Sequence, residues 1–242
     1  MRAAILITCE HGGHRVPAEY RSRFEGLGNI LASHRGFDAG SLVMARDLAR
    51  ALNAPLVYST ITRLLIDLNR SIGHRSVFSE VTASLPAHER ARIVHSWYRP
   101  YRDEVEARVR AAAARGKIIV HLSSHSFTPV LAGEIRSTDI GLLYDPARPG
   151  EAGLARLWQR ALTDIAPHLR VRRNYPYRGY NDGLTTHLRS IFSSASYIGI
   201  ELEVNQALMG AHAGSWRAVR RAVIDALRIA LPTMMRTARK NP

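Results

Sequence analysis

Four polar clusters in the sequence combine residue types that can bind a metal ion or move a proton. They are "CEHGGH" at residues 9–14, "DLNRS" at 67–71, "SSHSF" at 123–127 and "ELEVNQ" at 201–206. Each cluster follows or ends an apolar run that is typical of a strand. Because ligands of open α/β sheets bind beyond the carboxyl ends of the strands, we expect the four clusters to converge on one site.

Two histidines are the first candidates for metal ligands, since His11 and His125 both come near the end of a predicted strand. A catalytic zinc ion typically has three protein ligands and one open position. His14 is one candidate for the third ligand, because the two glycines after His11 allow a tight turn. Asp38, at the start of a predicted helix, is the other; as a non-ligand it would instead accept the ring proton of a ligand histidine. His121 is expected to be a core residue.

The run "YIGIELEVNQ" contains a candidate proton acceptor. With a period of two, Glu201, Glu203 and Asn205 share one face of the strand, while Leu202 and Val204 lie on the other. A carboxylate in an apolar strand is costly unless it is paired, protonated or close to a metal. One glutamate is therefore a candidate general base for hydrolysis, and the other is expected to form a salt bridge.

Arg63, Asn69 and Arg70 flank a third predicted strand and could bind an anionic group. A guanidinium presents a rigid fork that matches a carboxylate. Arg70, with Arg63 as a possible partner, is thus a candidate clamp for a substrate carboxylate. A surface ion pair is the alternative in a chain so rich in arginine, but an amide such as Asn69 at a strand end favours a specific hydrogen bond.

Alternating strand-like and helix-like segments must position these residues. Strands are predicted at 3–8, 55–59, 64–68, 118–122, 140–144, 169–172 and 197–204. Helices are predicted at 38–52, 86–115, 150–165 and 215–231, the second as one long helix or two consecutive ones. The irregular segments 123–139 and 174–194 are long enough to be functional loops, and 236–242 is predicted to be a frayed tail. This alternation indicates an α/β sheet covered on both faces.

Composition limits the class of protein. The 242 residues, 46% of them hydrophobic, fit a single domain over 1–242. The net charge of +14 comes almost entirely from arginines spread along the chain, so nucleic-acid binding is a minority interpretation. No apolar run is long enough for a membrane span, no signal peptide is recognisable, and a single cysteine, Cys9, agrees with a reducing compartment. A cytoplasmic location is expected.

Five motifs together resemble the N-formylglutamate amidohydrolase family, within the zinc carboxypeptidase and aspartoacylase superfamily. They are "EHGGHRVP", "RGFDAG", "RLLIDLNRS", "SSHSF" and "PYRGYNDGLTTHLR", and the resemblance covers nearly the whole chain. It implies a three-layer α/β/α fold with a mixed, mostly parallel sheet, phosphorylase/hydrolase-like. His14 stands where the carboxypeptidases have a ligand glutamate, which keeps Asp38 as an alternative third ligand.

The resemblance implies a zinc-dependent amidohydrolase that releases formate from an N-acylated acidic amino acid such as N-formyl-L-glutamate, a small anionic substrate. It implies that Zn²⁺ is bound by His11, His125 and either His14 or Asp38, and that Glu203 is the base, or Glu201 if the alignment is shifted by two residues. It also implies that Asn69 and Arg70 bind the substrate's α-carboxylate and that Arg63 binds the oxyanion or a second carboxylate. Further substrate contacts are expected from the segment with Arg178 and His187. Two alternatives remain. One is a hydrolase of the same fold for another N-acyl amino acid or peptide, and the other is a basic anion- or nucleic-acid-binding protein with structural histidines.

Overall fold

A computed structural model of the chain describes residues 3–210 and 213–240. Its strands are β1 (Ala3–Cys9), β2 (Leu56–Tyr58), β3 (Ile118–Phe127), β4 (Val130–Leu131), β5 (Glu134–Ile135), β6 (Ile140–Leu143), β7 (Val171–Arg173) and β8 (Tyr197–Asn205). Its helices are α1 (Gly28–Leu31), α2 (Ser41–Leu52), α3 (Ala87–Ile93), α4 (Arg99–Ala113), α5 (Pro149–Ile165), α6 (Leu184–Ile191), α7 (Ala207–Gly210) and α8 (Ala213–Lys240). A 3₁₀ segment covers Ala18–Phe24, and a π-helical segment, Val94–Tyr98, joins α3 to α4.

Six strands form one mixed, mostly parallel sheet in the order β2-β1-β3-β8-β6-β7. The first four run parallel to one another, β6 pairs antiparallel with β8, and β7 runs parallel to β6. Strands β4 and β5 form a separate two-stranded hairpin. Because β1, β3 and β8 are adjacent and parallel, their carboxyl ends meet at one edge of the sheet, as the sequence predicted.

Helices cover both faces of the sheet, which gives the expected three-layer α/β/α arrangement. One core contains residues of α2, α5 and α8, and the other contains residues of α3, α4 and α6. The alternation along β1 divides neighbours between the two cores, with Leu6 in the second and Ile7 in the first. Along β8, Leu202 and Val204 lie in the first core, so Glu201 and Glu203 face the α4 and α6 side.

The segment 64–68 is not the strand that its apolar run predicted. Its leucines and isoleucine are buried, but the backbone follows turns. Side chains rather than a neighbouring strand satisfy its carbonyl groups: Ser79 Oγ donates to Leu64 O, and Arg102 Nη1 donates to Leu68 O at 3.1 Å. Buried carbonyl groups need a partner, and side-chain donors serve as well as a ladder.

Three other segments differ from the sequence prediction. β3 continues through the SSHSF motif to Phe127, so the predicted loop 123–139 begins as a buried strand. Helix α6 lies inside the predicted loop 174–194. Helix α8 continues to Lys240, past the predicted end at 231 and through most of the predicted tail, while 241 and 242 lie outside the described residues. Within the described ranges, no helix has the length and apolar character that crossing a bilayer requires.

Candidate active site

Three side chains that can bind a metal come together at the carboxyl edge of the sheet. β1 ends immediately before Glu10 and His11, and His125 lies near the carboxyl end of β3, just before Ser126 and Phe127. Asp38 reaches the same place because its backbone N–H donates to His11 O at 2.9 Å, just before α2 begins. One donor atom from each of His11, Asp38 and His125 lies within 4.8 Å of the others, and all three residues are buried.

Both imidazole rings present Nδ1 to the same oxygen atom. Asp38 Oδ2 lies 3.3 Å from His11 Nδ1 and 2.9 Å from His125 Nδ1. Two ligand atoms bound to one tetrahedral zinc ion at about 2.0–2.1 Å lie about 3.3 Å apart. The spacing of these atoms therefore suits a shared cation.

Each ring also has a carboxylate on its far side. His11 Nε2 lies 2.7 Å from Asp67 Oδ1, and His125 Nε2 lies 3.0 Å from Glu10 Oε2. Histidines that bind metals usually donate their second ring N–H to such a group, which sets the tautomer and the ring orientation. The donor set and its surroundings thus fit a metal centre of two imidazoles and one carboxylate.

Electrostatics also favour a cation here. Glu10, Asp38 and Asp67 are buried carboxylates, and only Arg63 among the described arginines contacts this group, 3.3 Å from Asp38 Oδ1 and 2.7 Å from Asp67 Oδ2. Burial opposes the charge on His125, yet its hydrogen bonds to Asp38 and Glu10 raise the pKa of the imidazole well above its usual range. A buried cluster with this excess of negative charge is stabilised by a proton or by a metal ion.

His14 lies outside this group. Its side chain is exposed and its ring contacts the ring of Phe37, with 4.7 Å between the centroids. The preceding glycines do not turn a second imidazole inward; a Cβ on Gly12 would lie 2.8 Å from Ser59 O, so they allow close approach to the neighbouring backbone. Of the two alternatives for the third ligand, the structure brings Asp38, not His14, to the two histidines.

A cavity of about 150 Å³ opens onto the three side chains. All the site residues predicted from the sequence line it except His14 and His187. A larger cavity of about 720 Å³ between α5 and α8 shares no lining residue with it and is bordered mainly by apolar side chains. The smaller cavity is thus the one that combines a polar cluster with the carboxyl edge of the sheet.

Glu203 is a buried carboxyl group without a full set of partners. Its Oε2 atom is buried and has no hydrogen-bond partner among the described residues. Burial raises the pKa of Glu203 to about 8. The group lines the cavity beside the histidines, where a carboxyl with a pKa near neutrality can accept and return a proton.

Glu201 shares that face of β8 but has a different environment. Its Oε1 accepts a hydrogen bond from Thr185 Oγ1 at 2.5 Å, at the beginning of α6. The partner is a hydroxyl instead of the basic group of the salt bridge that the sequence predicted for one of the two glutamates. Glu201 is therefore tied to a neighbouring helix, whereas Glu203 retains an unpaired oxygen.

The predicted anion-binding residues also line the cavity. Arg70 Nη1 donates to Asp182 O at 2.8 Å, and Asn69 Oδ1 accepts from the backbone N–H of Leu184 at 2.7 Å. Arg178 is exposed and donates to Tyr180 OH at 3.1 Å. The specific hydrogen bond expected for Asn69 is thus a contact that fixes the start of α6, and the side chain also lines the cavity.

His187 lies away from the cavity. It points to α4, where His187 Nε2 is 3.5 Å from Glu106 Oε2, and it borders a separate depression together with Tyr98 and Arg102. The expectation that it contacts the substrate is not supported by this position. The sequence interpretation grouped it with Arg178 because both belong to one polar run, but His187 lies on α6 and faces α4, whereas Arg178 precedes α6 and lines the cavity.

Three residues around the site were given no role from the sequence. Glu10 and Asp67 hold the two histidines, and Tyr177, which accepts a hydrogen bond from Arg136 Nη1 at 2.9 Å, lines the cavity. A signal existed for the acids, because each belongs to a motif at a predicted strand end. For Tyr177 the sequence offered only its place in a long polar segment.

Comparisons with known proteins place the chain in a family. The model of the family described as N-formylglutamate amidohydrolase matches residues 3–209. The chain is similar to the structure of gene product Atu2144 from Agrobacterium tumefaciens, with 29% identity, a TM-score of 0.82, and coverage of 96% of this chain and 91% of that chain. It has the fold of N-formylglutamate amidohydrolase from Ralstonia eutropha JMP134, with 20% identity, a TM-score of 0.72, and coverage of 98% and 96%. A search of curated proteins finds no match.

Proposed function

The chain belongs to the N-formylglutamate amidohydrolase family, and from this premise we propose that it hydrolyses the N-formyl amide of an acidic amino acid such as N-formyl-L-glutamate. The products are formate and the free amino acid. The observation that carries the proposal is the presence, in one cavity, of a three-residue metal-binding group and a buried carboxyl with an unpaired oxygen.

His11, Asp38 and His125 are the residues that would hold a zinc ion. Two imidazole nitrogens and one carboxylate oxygen are donors that zinc accepts readily. When bound, the ion supplies Lewis-acid polarisation of the acyl carbonyl and makes water more acidic. Asp67 and Glu10 orient the two rings through their contacts with His11 Nε2 and His125 Nε2.

Glu203 acts as the general base and then as the general acid. It takes a proton from the attacking water and gives it to the amide nitrogen when the C–N bond breaks, so the amine leaves as a neutral group. Its unpaired Oε2 and its pKa of about 8 support this role. Glu201, held by Thr185, shapes the cavity wall instead.

Arg63 is assigned a role different from the oxyanion contact that the resemblance implied. Its Nη1 and Nη2 atoms are engaged with Asp38 and Asp67. The guanidinium therefore serves mainly as the counter-charge that keeps both carboxylates ionised and oriented. Although burial favours the neutral form of Asp67, Arg63 and His11 lower the pKa of its carboxyl well below the usual range.

Two arginines of the cavity suit the two carboxylates of the substrate. Arg70 uses one N–H for Asp182 O, which fixes the guanidinium and leaves the rest of the fork for the α-carboxylate. Arg178, which is exposed and lines the cavity, would bind the side-chain carboxylate. Asn69, whose Oδ1 accepts from the backbone N–H of Leu184, would hold the α-carboxylate through its side-chain NH₂ group.

The test is formate release by the purified, zinc-loaded protein from a panel of N-formyl-L-glutamate, N-formyl-L-leucine and N-acetyl-L-glutamate. We expect N-formyl-L-glutamate to have the highest kcat/KM, and removal of zinc by a chelator to abolish turnover until zinc is restored. Cleavage of the acetyl compound alone would favour the alternative of another N-acyl amino acid. A protein that releases no formate from any N-formyl amino acid would contradict the proposal.

A further inference from the structure

Glu10 is buried in an environment that is unusual for a carboxylate. It is 0% exposed, and within the described ranges no arginine or lysine forms an ion pair with it. Its Oε1 accepts from Tyr101 OH at 2.7 Å, and its Oε2 accepts from Ser123 Oγ at 2.6 Å and lies 3.0 Å from His125 Nε2. The negative charge of the Glu10 carboxylate is therefore stabilised by two hydroxyl groups and one imidazole.

The positions of the protons follow from these contacts. Ser123 Oγ lies close to both Glu10 Oε2 and, at 2.8 Å, His125 Nε2. A serine hydroxyl has one proton, and the carboxylate is the stronger acceptor. Once that proton is donated to Glu10, both neighbours of His125 Nε2 are acceptors, so Nε2 must carry a hydrogen.

The other nitrogen of this ring faces the proposed metal position. His125 Nδ1 lies 2.9 Å from Asp38 Oδ2. With the ring proton held at Nε2, Nδ1 keeps its lone pair for a cation that Asp38 shares. We propose that Glu10 is a positioning residue, which sets the tautomer of His125 and thereby strengthens zinc binding; this inference rests on the metal site of the proposed function.

The contact of Asp67 with His11 is expected to affect the ring less than the contact of Glu10 with His125. Asp67 faces His11 Nε2 but also pairs with Arg63, which neutralises part of its charge. Glu10 has only hydroxyl partners besides His125. Its charge therefore acts more strongly on the imidazole, and it is expected to raise the ligand basicity of His125 more than Asp67 does for His11.

A purely structural role for Glu10 makes a different prediction, and Glu151 provides the matched control. Glu151 is also 0% exposed, and its Oε1 accepts from Arg189 Nε and from Gly199 N, both at 3.0 Å, without lining the cavity. Replacing either glutamate with glutamine removes one buried charge. Both variants lose stability, but only the change at Glu10 affects the metal site.

The experiment measures the Zn²⁺ dissociation constant by competition with a chromophoric chelator, together with the urea unfolding midpoint. Loss of a group that orients a ligand histidine weakens metal binding by about 10- to 100-fold, and we expect this for Glu10→Gln. Glu151→Gln should bind Zn²⁺ as the unsubstituted protein does. Equal Zn²⁺ affinity in Glu10→Gln and Glu151→Gln would overturn the inference.

A second measurement needs no variant that could fail to fold. In ¹⁵N–¹H spectra of the zinc-loaded, unsubstituted protein, the ring proton of His125 is expected on Nε2; a proton on Nδ1 would overturn the inference while leaving the metal site standing. A protein whose Zn²⁺ affinity is unchanged by His11→Ala would instead contradict the metal site, and the role of Glu10 with it.

Discussion

Glu203 lies directly opposite His125 in the parallel pairing of β8 with β3. The same register places Glu201 opposite Ser123, farther from the carboxyl ends of the two strands. The two glutamates on one face of β8 thus have different environments. Glu203 lines the cavity beside His11, Asp38 and His125, and Glu201 accepts a hydrogen bond from Thr185. A shift of the pairing by two residues would place Glu201 opposite His125 and Glu203 opposite Phe127, so the proposed role of Glu203 as the base depends on this register.

Metal content is the first quantity that distinguishes the histidines. His11→Ala and His125→Ala each remove one of three ligands, and we expect both purified variants to lose bound zinc and turnover together. His14→Ala is the matched control, because its exposed ring contacts Phe37, and it should retain about one zinc per chain. Elemental analysis after gel filtration provides the measurement. Full zinc occupancy in His11→Ala would show that the ligand set is wrong.

The sequence predicted the convergence of the clusters at the ends of β1, β3 and β8 because that convergence depends on the direction of the strands. Parallel strands that each end in a polar motif must bring those motifs to one edge, and in the structure His11, His125 and Glu203 line one cavity. Asp38 could only be an alternative, since it reaches the site through a backbone contact with His11 O that no local pattern encodes.

The remaining errors have a common physical origin. The hydrophobic periodicity of a sequence indicates which side chains are buried, but it does not indicate which groups form hydrogen bonds with the backbone. The run 64–68 is buried as predicted, yet side-chain donors such as Arg102 replace the strand ladder. His14 and His187 were placed near the site from their spacing along the chain, whereas the turns after β1 and into α6 direct them elsewhere.

Recognition of the substrate carboxylate is expected to depend on the shape of Arg70. In Arg70→Lys the charge remains but the two-pronged contact is lost. Loss of one charge-assisted hydrogen bond corresponds to about a tenfold increase in KM for N-formyl-L-glutamate, with zinc content unchanged. His187→Ala is the control, because that residue lies outside the cavity. If Arg70→Lys lost as much activity on a substrate whose α-carboxylate is amidated, the assignment would fail.

Acid stability should depend on His121, which lies on β3 between Thr8 and Tyr197. Its Nε2 is 2.8 Å from Thr8 Oγ1 and its Nδ1 is 2.7 Å from Tyr197 OH. Burial lowers the pKa of this imidazole from 6.5 to about 4. As the pH falls below 6.5, the unfolded chain takes up a proton that the folded protein does not, so the free energy of unfolding decreases until about pH 4.

The corresponding variant is His121→Gln, which has no titrating group at this position. Urea unfolding between pH 7 and pH 4 should show a decrease that is smaller in the variant than in the unsubstituted protein, by roughly 3 kcal/mol over this range. The difference between the two proteins removes contributions from other titrating groups. Parallel pH profiles would mean that His121 does not stay neutral in the folded state.

The base is tested by Glu203→Gln, which keeps the size of the side chain and removes its basic oxygen. General base catalysis contributes about two to four orders of magnitude, so kcat should fall by that amount while zinc stays bound. The variant is expected to fold, because Glu203 Oε2 has no hydrogen-bond partner to lose among the described residues. Glu201→Gln should have the reverse profile, with a small change in kcat and lower stability, since it weakens the contact with Thr185. A zinc-loaded Glu201→Gln without activity, beside a Glu203→Gln with near-normal kcat, would transfer the role of base to Glu201.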